Sequence, residues 1–214
     1  MKTCKLLREQ VAAATGSKKA ELVLKNAQIV NVFTQSVETG DIAIEGGYIV
    51  GIGNYEGITE KDLGGAYVCP GFLDGHIHIE SSMTSPGEFE RAVVPHGTIA
   101  VITDPHEIAN VAGTAGIRFM MQSAQKLELD VYFMLPSCVP ATDLDESGAE
   151  LLAKDLEPFY ADEKVLGLAE MMNAFGVTHG DKGCFEKLVQ ARSLKKAIDG
   201  HAPALSGKEL NAYV

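Results

Sequence analysis

The spacing of apolar residues changes twice along the chain, and each change marks a different kind of structure. Over residues 4–15, Leu7, Val11 and Ala14 recur at helical spacing and Gly16 supplies a stop, which predicts a peripheral helix. From Ala20 to Tyr67 the runs shorten and alternate. Residues 21–25, 27–32, 41–45 and 48–52 read as strands, with Lys25-Asn26, Thr39-Gly40 and the hairpin pair Gly46-Gly47 between them. From Val68 onward, apolar runs alternate with helical stretches, the pattern of a parallel sheet covered by crossover helices. Strands are expected at 68–80, 98–103, 131–135, 165–169 and 196–201. Ser85-Pro86-Gly87-Glu88, Ser147-Gly148-Ala149-Glu150 and Ser206-Gly207-Lys208-Glu209 each read as a capping box opening a helix. The pattern divides the chain into three segments: an N-terminal helical segment over 1–19, a small antiparallel, β-sandwich-like module over 20–67, and an α/β region over 68–214.

The strand ends carry the chemistry. In Asp74-Gly75-His76-Ile77-His78-Ile79-Glu80, a strand that alternates sides puts His76, His78 and Glu80 on one face and the isoleucines on the other. Two neighbouring imidazoles can hold one divalent transition metal without choosing among Zn, Fe and Mn; a solvent-facing His-x-His is the alternative. Later strands end in Asp104 to Glu107, Ser137, Glu170 and His201. In parallel β/α architectures such ends face one crevice, so these distant residues converge. Glu170 follows the apolar run 165–169, where a bare carboxylate is costly and a cation removes the cost. Two histidines on the first strand, Glu170 on the fourth and His201 on the fifth can surround two metals. His106 and Glu107 follow a strand directly, as active-site groups do, although Glu107 also suits a first helical turn. His96 reads as a helix-end residue and His179 as a loop residue.

Composition narrows the function. The chain has 214 residues, 46% of them hydrophobic, with 18 Lys and Arg against 29 Asp and Glu and a net charge of -11. That balance disfavours nucleic-acid phosphates and anionic membranes and suits a small neutral or cationic ligand. No signal-peptide core and no long apolar span is present, and Cys4, Cys69, Cys138 and Cys184 lie too far apart for a zinc module, so the expected compartment is the reducing cytoplasm.

The stretch Pro70-Gly-Phe-Leu-Asp-Gly-His-Ile-His-Ile-Glu80 resembles the first-strand motif of the amidohydrolase superfamily. Within that superfamily, His-Ile-His-Ile-Glu-Ser-Ser-Met, Thr-Asp-Pro-His-Glu-Ile-Ala-Asn-Val, Leu-Ala-Glu-Met-Met-Asn and Asp-Gly-His-Ala-Pro resemble the adenine deaminases. The resemblance implies a TIM-type (β/α)8 barrel beside a small β module, and hydrolysis of adenine, a purine base, to hypoxanthine and ammonia. It implies two divalent ions, Mn or Fe in preference to Zn. His76 and His78 would hold the more buried ion, Glu170 would bridge and His201 would bind the second. Glu80, His106 and Glu107 are the candidate proton carriers, Glu80 also as a residue that orients the strand. Alternatives are another amidohydrolase acting on a cyclic amide or amidine, and a non-catalytic assembly module. Residues 68–214 hold about five strand-helix units, whereas a closed barrel takes about 250 residues. The expectation is therefore an incomplete barrel, inactive alone, whose remaining walls come from a missing C-terminal half or a homo-oligomeric partner.

Overall fold

A computed structural model of the protein describes residues 3–142 and 144–214. The chain divides into two compact units, Met1–Pro70 and Gly71–Val214. The first two residues of the expected N-terminal segment lie outside the described residues.

In the first unit, α1 (Cys4–Ala14) starts where the Thr3 hydroxyl accepts the Leu6 N–H. Strands β1 (Ala20–Asn31), β2 (Ser36–Glu45) and β3 (Tyr48–Gly53) form the expected antiparallel meander. Two features differ from expectation. The runs expected at 21–25 and 27–32 merge into the single strand β1, which ends at Asn31, because Asn26 takes a left-handed conformation (φ 57) and the chain continues through a bulge at Lys25-Asn26. Two further strands, β4 (Gly57–Asp62) and β5 (Tyr67–Val68), pair with β1 in parallel. Strand β4 has one apolar residue, Ile58, and ends in charges, so its sequence carries no strand alternation. Val23, Ala43, Ala20 and Ala13 form one small core, with Ala27, Ile29 and Ile42 forming another.

The second unit is a five-stranded parallel sheet whose strands lie side by side in sequence order: β6 (Phe72–Ile77), β7 (Thr98–Thr103), β8 (Asp130–Pro136), β9 (Val165–Met171) and β10 (Ala197–Gly200). Each new strand adds to the same edge without a reversal, as in a (β/α) barrel and unlike a doubly wound sheet. Helices α2 (Pro86–Val93), α3 (His106–Ser123), α4 (Ala153–Leu156), α5 (Ala174–His179), α6 (Lys182–Ser193) and α7 (Gly207–Tyr213) supply crossovers and flanks. The core packs Val101, Phe133, Leu135, Val165 and Leu168 of the middle strands against Ile117, Met120 and Leu156. Gly167 permits the β9–β10 pairing: a Cβ there would lie 2.2 Å from the Ala197 carbonyl oxygen.

Local expectations fare unevenly. Ser147 opens no helix; its hydroxyl bonds Asn110, and the helical turn begins only at Ala153. Helices do begin after Ser85 and Ser206, but neither side chain makes a capping hydrogen bond. His179 ends α5, stacked on the Phe175 ring at 3.9 Å, instead of lying in a loop. No helix among the described residues is long and apolar enough to cross a membrane.

Candidate metal centre

The carboxyl ends of β6, β7, β9 and β10 bring together side chains that are up to 125 residues apart in sequence, from His76 to His201. Strand β6 ends at Ile77; His78 is extended (φ -112, ψ 102) and the chain then turns into a 3-10 helix over Ile79–Ser82. His76 and His78 therefore share a face. Glu80 does not join them, because the turn carries it away toward α3, where its Oε1 accepts the Ile108 N–H at 3.2 Å.

Glu170 is the hub. It is 3% exposed, its Oε1 contacts His76 Nε2 and lies 2.8 Å from His78 Nε2, and its Oε2 lies 3.8 Å from both His106 Nδ1 and His201 Nδ1. His76 Nε2 and His78 Nε2 are 3.2 Å apart. Among the described residues, two groups that could hold a metal ion result, His76 with Glu170 and His201, and His78 with Asp104, His106 and Glu170. Within each group the donor atoms all lie within 4.8 Å of one another.

The proton inventory decides what these atoms can do. His78 Nδ1 lies 2.9 Å from the Asp104 carbonyl, which can only accept, so the neutral ring carries its proton on Nδ1 and turns the Nε2 lone pair toward Glu170. A lone pair and a carboxylate oxygen at 2.8 Å repel unless a cation lies between them. Among the described residues, no hydrogen-bond donor meets the buried Glu170 Oε1 or Asp104 Oδ1. Ligands about 2.1 Å from one ion, at bond angles of about 90–109°, stand about 3.0–3.4 Å apart, close to the 2.8 Å between His78 and Glu170 and the 3.2 Å between His76 and His78. The donor set of imidazole nitrogens and carboxylate oxygens thus fits divalent transition metals.

Asp104 is recognisable in the sequence as a strand-end carboxylate, but spacing gives it no role. It is 1% exposed, and its Oδ2 accepts from His106 Nδ1 at 2.9 Å. Burial pushes its carboxyl up, and its hydrogen bond holds the His106 imidazole above the ordinary value. His106 joins the ligand group through Asp104, with its ring 4.6 Å from that of His78. Glu80 and Glu107 lie beside the groups and not within them. Burial raises the Glu80 carboxyl, and among the described residues its Oε2 has no hydrogen-bond partner. Glu107 accepts the Ser81 hydroxyl at 2.5 Å.

Known proteins resemble the chain over most of its length. The amidohydrolase family profile matches residues 67–214. The chain is 54% identical over 210 residues to adenine deaminase 2 of Carboxydothermus hydrogenoformans and 52% identical over 208 residues to adenine deaminase of Bacillus pumilus. These alignments cover 98% and 97% of this chain but 36% of each relative, so the chain spans about a third of their length. Among solved structures, D-aminoacylase superposes with a TM-score of 0.57 at 14% identity, over 90% of this chain and 47% of that one. N-isopropylammelide isopropylaminohydrolase of Burkholderia multivorans superposes with a TM-score of 0.56 at 17% identity, over 89% of this chain and 55% of that one. At such identities these likenesses concern the fold alone.

Proposed function

The chain belongs to the amidohydrolase family, and from that membership we propose that it carries the metal-binding part of an enzyme that hydrolyses adenine to hypoxanthine and ammonia. The observation that carries the metal reading is the approach of His76 Nε2 and His78 Nε2 to a buried Glu170 oxygen with no hydrogen-bond donor among the described residues. Adenine is supported by the names of relatives about half identical to the chain. Two divalent ions, Mn or Fe in preference to Zn, would be held by His76 and His78, whose Nε2 atoms are 3.2 Å apart, on one side and by His201 on the other, with Glu170 between them; the two clusters described above instead set His76 with His201 and His78 with Asp104 and His106. When bound, such ions lower the pKa of water from about 15.7 to about 7 and so supply a nucleophile at neutral pH.

The chain's own groups handle the protons. Water adds to the ring carbon bearing the amino group, the C–N bond breaks, and the amine takes a proton to leave as ammonia. His106 is the first candidate for that transfer, because Asp104 fixes the Nδ1 proton and leaves Nε2 free to exchange. Glu80, whose raised carboxyl retains a proton more readily than an exposed one, is the second. Glu107, bound to Ser81, is the third.

The sheet has two edges, β6 and β10, whose residues are mostly exposed, including Phe72, Leu73 and Ile198. Bare edges and apolar faces of this kind ask for covering strands. We read the remaining barrel walls as coming from further chain or from a second copy. The 214-residue chain alone is expected to show no adenine turnover with added Mn, Fe or Zn, whereas an assembly that includes the remaining barrel, metal-loaded, releases hypoxanthine and ammonia. Turnover by the chain alone overturns the requirement for further walls. An assembly that leaves adenine intact but opens hydantoins or dihydropyrimidines overturns the adenine assignment.

A further inference from the structure

Glu170 owes its direction to a backbone irregularity. Between the pairs Leu168↔Ile198 and Met171↔Gly200, β9 carries two residues, Ala169 and Glu170, opposite Asp199 alone on β10. An inserted residue falls out of the ladder, bends the strand and re-aims a side chain. Glu170 sits there at φ 27, a conformation disfavoured for any residue with a Cβ. Something must hold it.

Two side chains bond the backbone of this residue, and a third braces one of them. The Glu170 N–H donates to Asp199 Oδ1 at 2.5 Å. Its carbonyl accepts the Ser137 hydroxyl at 2.9 Å. Ser137 directly follows β8 and is buried, and its own carbonyl accepts Lys187 Nζ from α6 at 2.6 Å. Lys187 is itself 8% exposed, and burial holds its amine below the ordinary lysine value. Burying an ammonium is costly, and the charge-assisted bond to the Ser137 carbonyl offsets part of that cost.

We infer that Ser137, braced by Lys187, and Asp199 are positioning residues that clamp the Glu170 backbone, Asp199 at its N–H and Ser137 at its carbonyl, and so aim its carboxylate at His76 and His78. The inference rests on the metal-centre reading above. None of the three belongs to the two candidate metal-holding groups found among the described residues; they act through Glu170. Groups that orient a ligand in this way typically alter metal affinity by about 10–100-fold.

The test is Mn(II) titration of the 214-residue chain by calorimetry, with unfolding midpoints measured in parallel. Ser137→Ala and Asp199→Ala are expected to weaken Mn(II) binding by about tenfold or more while the metal-free chain stays folded. Asp199→Asn keeps an oxygen that can accept the Glu170 N–H, and is expected to stay within about threefold of the parent. A purely structural role for the Asp199 charge would not give that rescue. Lys187→Met should weaken binding by about threefold, and adding it to Ser137→Ala should cost nothing further, because the two act in series. Parent-like binding by both alanine variants overturns the clamp, as does Asp199→Asn binding as weakly as Asp199→Ala. If Asp199→Ala fails to fold, Ser137→Ala and Lys187→Met decide the matter. A parent chain that binds no Mn(II) is a separate result: it overturns the metal-centre reading, and the clamp with it.

Discussion

The two units contain the same backbone device put to different ends. In the first sheet, Lys25 and Asn26 of β1 face Asp41 alone on β2; in the second, Ala169 and Glu170 of β9 face Asp199 alone on β10. In both bulges the second residue has positive φ, 57 for Asn26 and 27 for Glu170, and in both the opposed aspartate's Oδ1 accepts that residue's N–H. The two differ in how their charges are met. Asp41 Oδ2 also takes Lys25 Nζ at 2.5 Å and the Tyr55 N–H at 3.3 Å, and the Asn26 amide bonds Asp62, so every charge in the first bulge is answered. In the second, the bulged residue is a buried glutamate facing two imidazoles, and its Oε1 has no donor among the described residues. The bulge alone is structure; the unanswered carboxylate on it is what points to a ligand.

The sharpest way to break this contrast is to remove the imidazoles. Replacing both His76 and His78 by Ala is expected to abolish stoichiometric metal in the chain, read by elemental analysis, and to lower adenine turnover of the complete assembly by several orders of magnitude. Retained metal and rate would put the two bulges on an equal footing. A smaller effect is expected from adding metal. Mn(II) at about 100 times its dissociation constant should stabilise the second unit by about 2.7 kcal/mol, and the His76→Ala/His78→Ala variant should gain nothing. Smaller again is the effect of Glu170→Gly, which relieves a strained φ of about 1–3 kcal/mol at an entropic cost of about 0.5–1 kcal/mol. The metal-free chain should become more stable by about 1 kcal/mol while losing its affinity for Mn(II). A destabilised Glu170→Gly chain would mean that Glu170 is held for packing and not for a ligand.

The same physics explains how far the sequence revealed these regions. The order of the parallel strands was readable because the middle strands are buried on both sides and so appear as unbroken apolar runs. The clustering of His76, His78, Glu170 and His201 was readable because each lies at a strand end, although only Glu170 follows a buried apolar run and the histidines sit at the ends of the exposed edge strands β6 and β10. Asp104 lies at a strand end too, but its role depends on the His106 and Glu170 atoms around it, which spacing does not reveal. Glu80 was misplaced on the histidine face because period-two counting assumes that the strand continues, whereas the turn at Ile79 breaks it. Neither bulge announces itself, since Asn26 and Glu170 lie inside or beside ordinary strand sequence. For the same reason Ser137, Lys187 and Asp199 appear as a strand-end serine, a helix lysine and a strand aspartate. Strand β4 was hidden by its charges, and the helix expected from Ser147 failed because its hydroxyl was spent on Asn110.

The smallest effect probes the answered bulge. Burial pushes the Asp41 carboxyl up, but Lys25 and the Asn26 and Tyr55 amides outweigh it and hold the group below its ordinary 3.8. The native state therefore keeps Asp41 ionised at pH values where the unfolded chain takes up a proton, and the stabilisation is fully present above 3.8 and lost as pH falls through the native value. Asp41→Asn keeps an acceptor for the Asn26 N–H and deletes only the charge. At about pH 7 its unfolding midpoint should lie about 2 °C below the parent's, a modest loss because Lys25 keeps access to solvent. The gap should close below the carboxylate range, where the parent also carries a neutral side chain, and Mn(II) affinity should be unchanged throughout. A gap that persists in acid would assign the loss to the shape of the amide instead of the charge. A change in Mn(II) affinity would mean that the two bulges are not independent, and the separation of a structural from a ligand-binding carboxylate would fail.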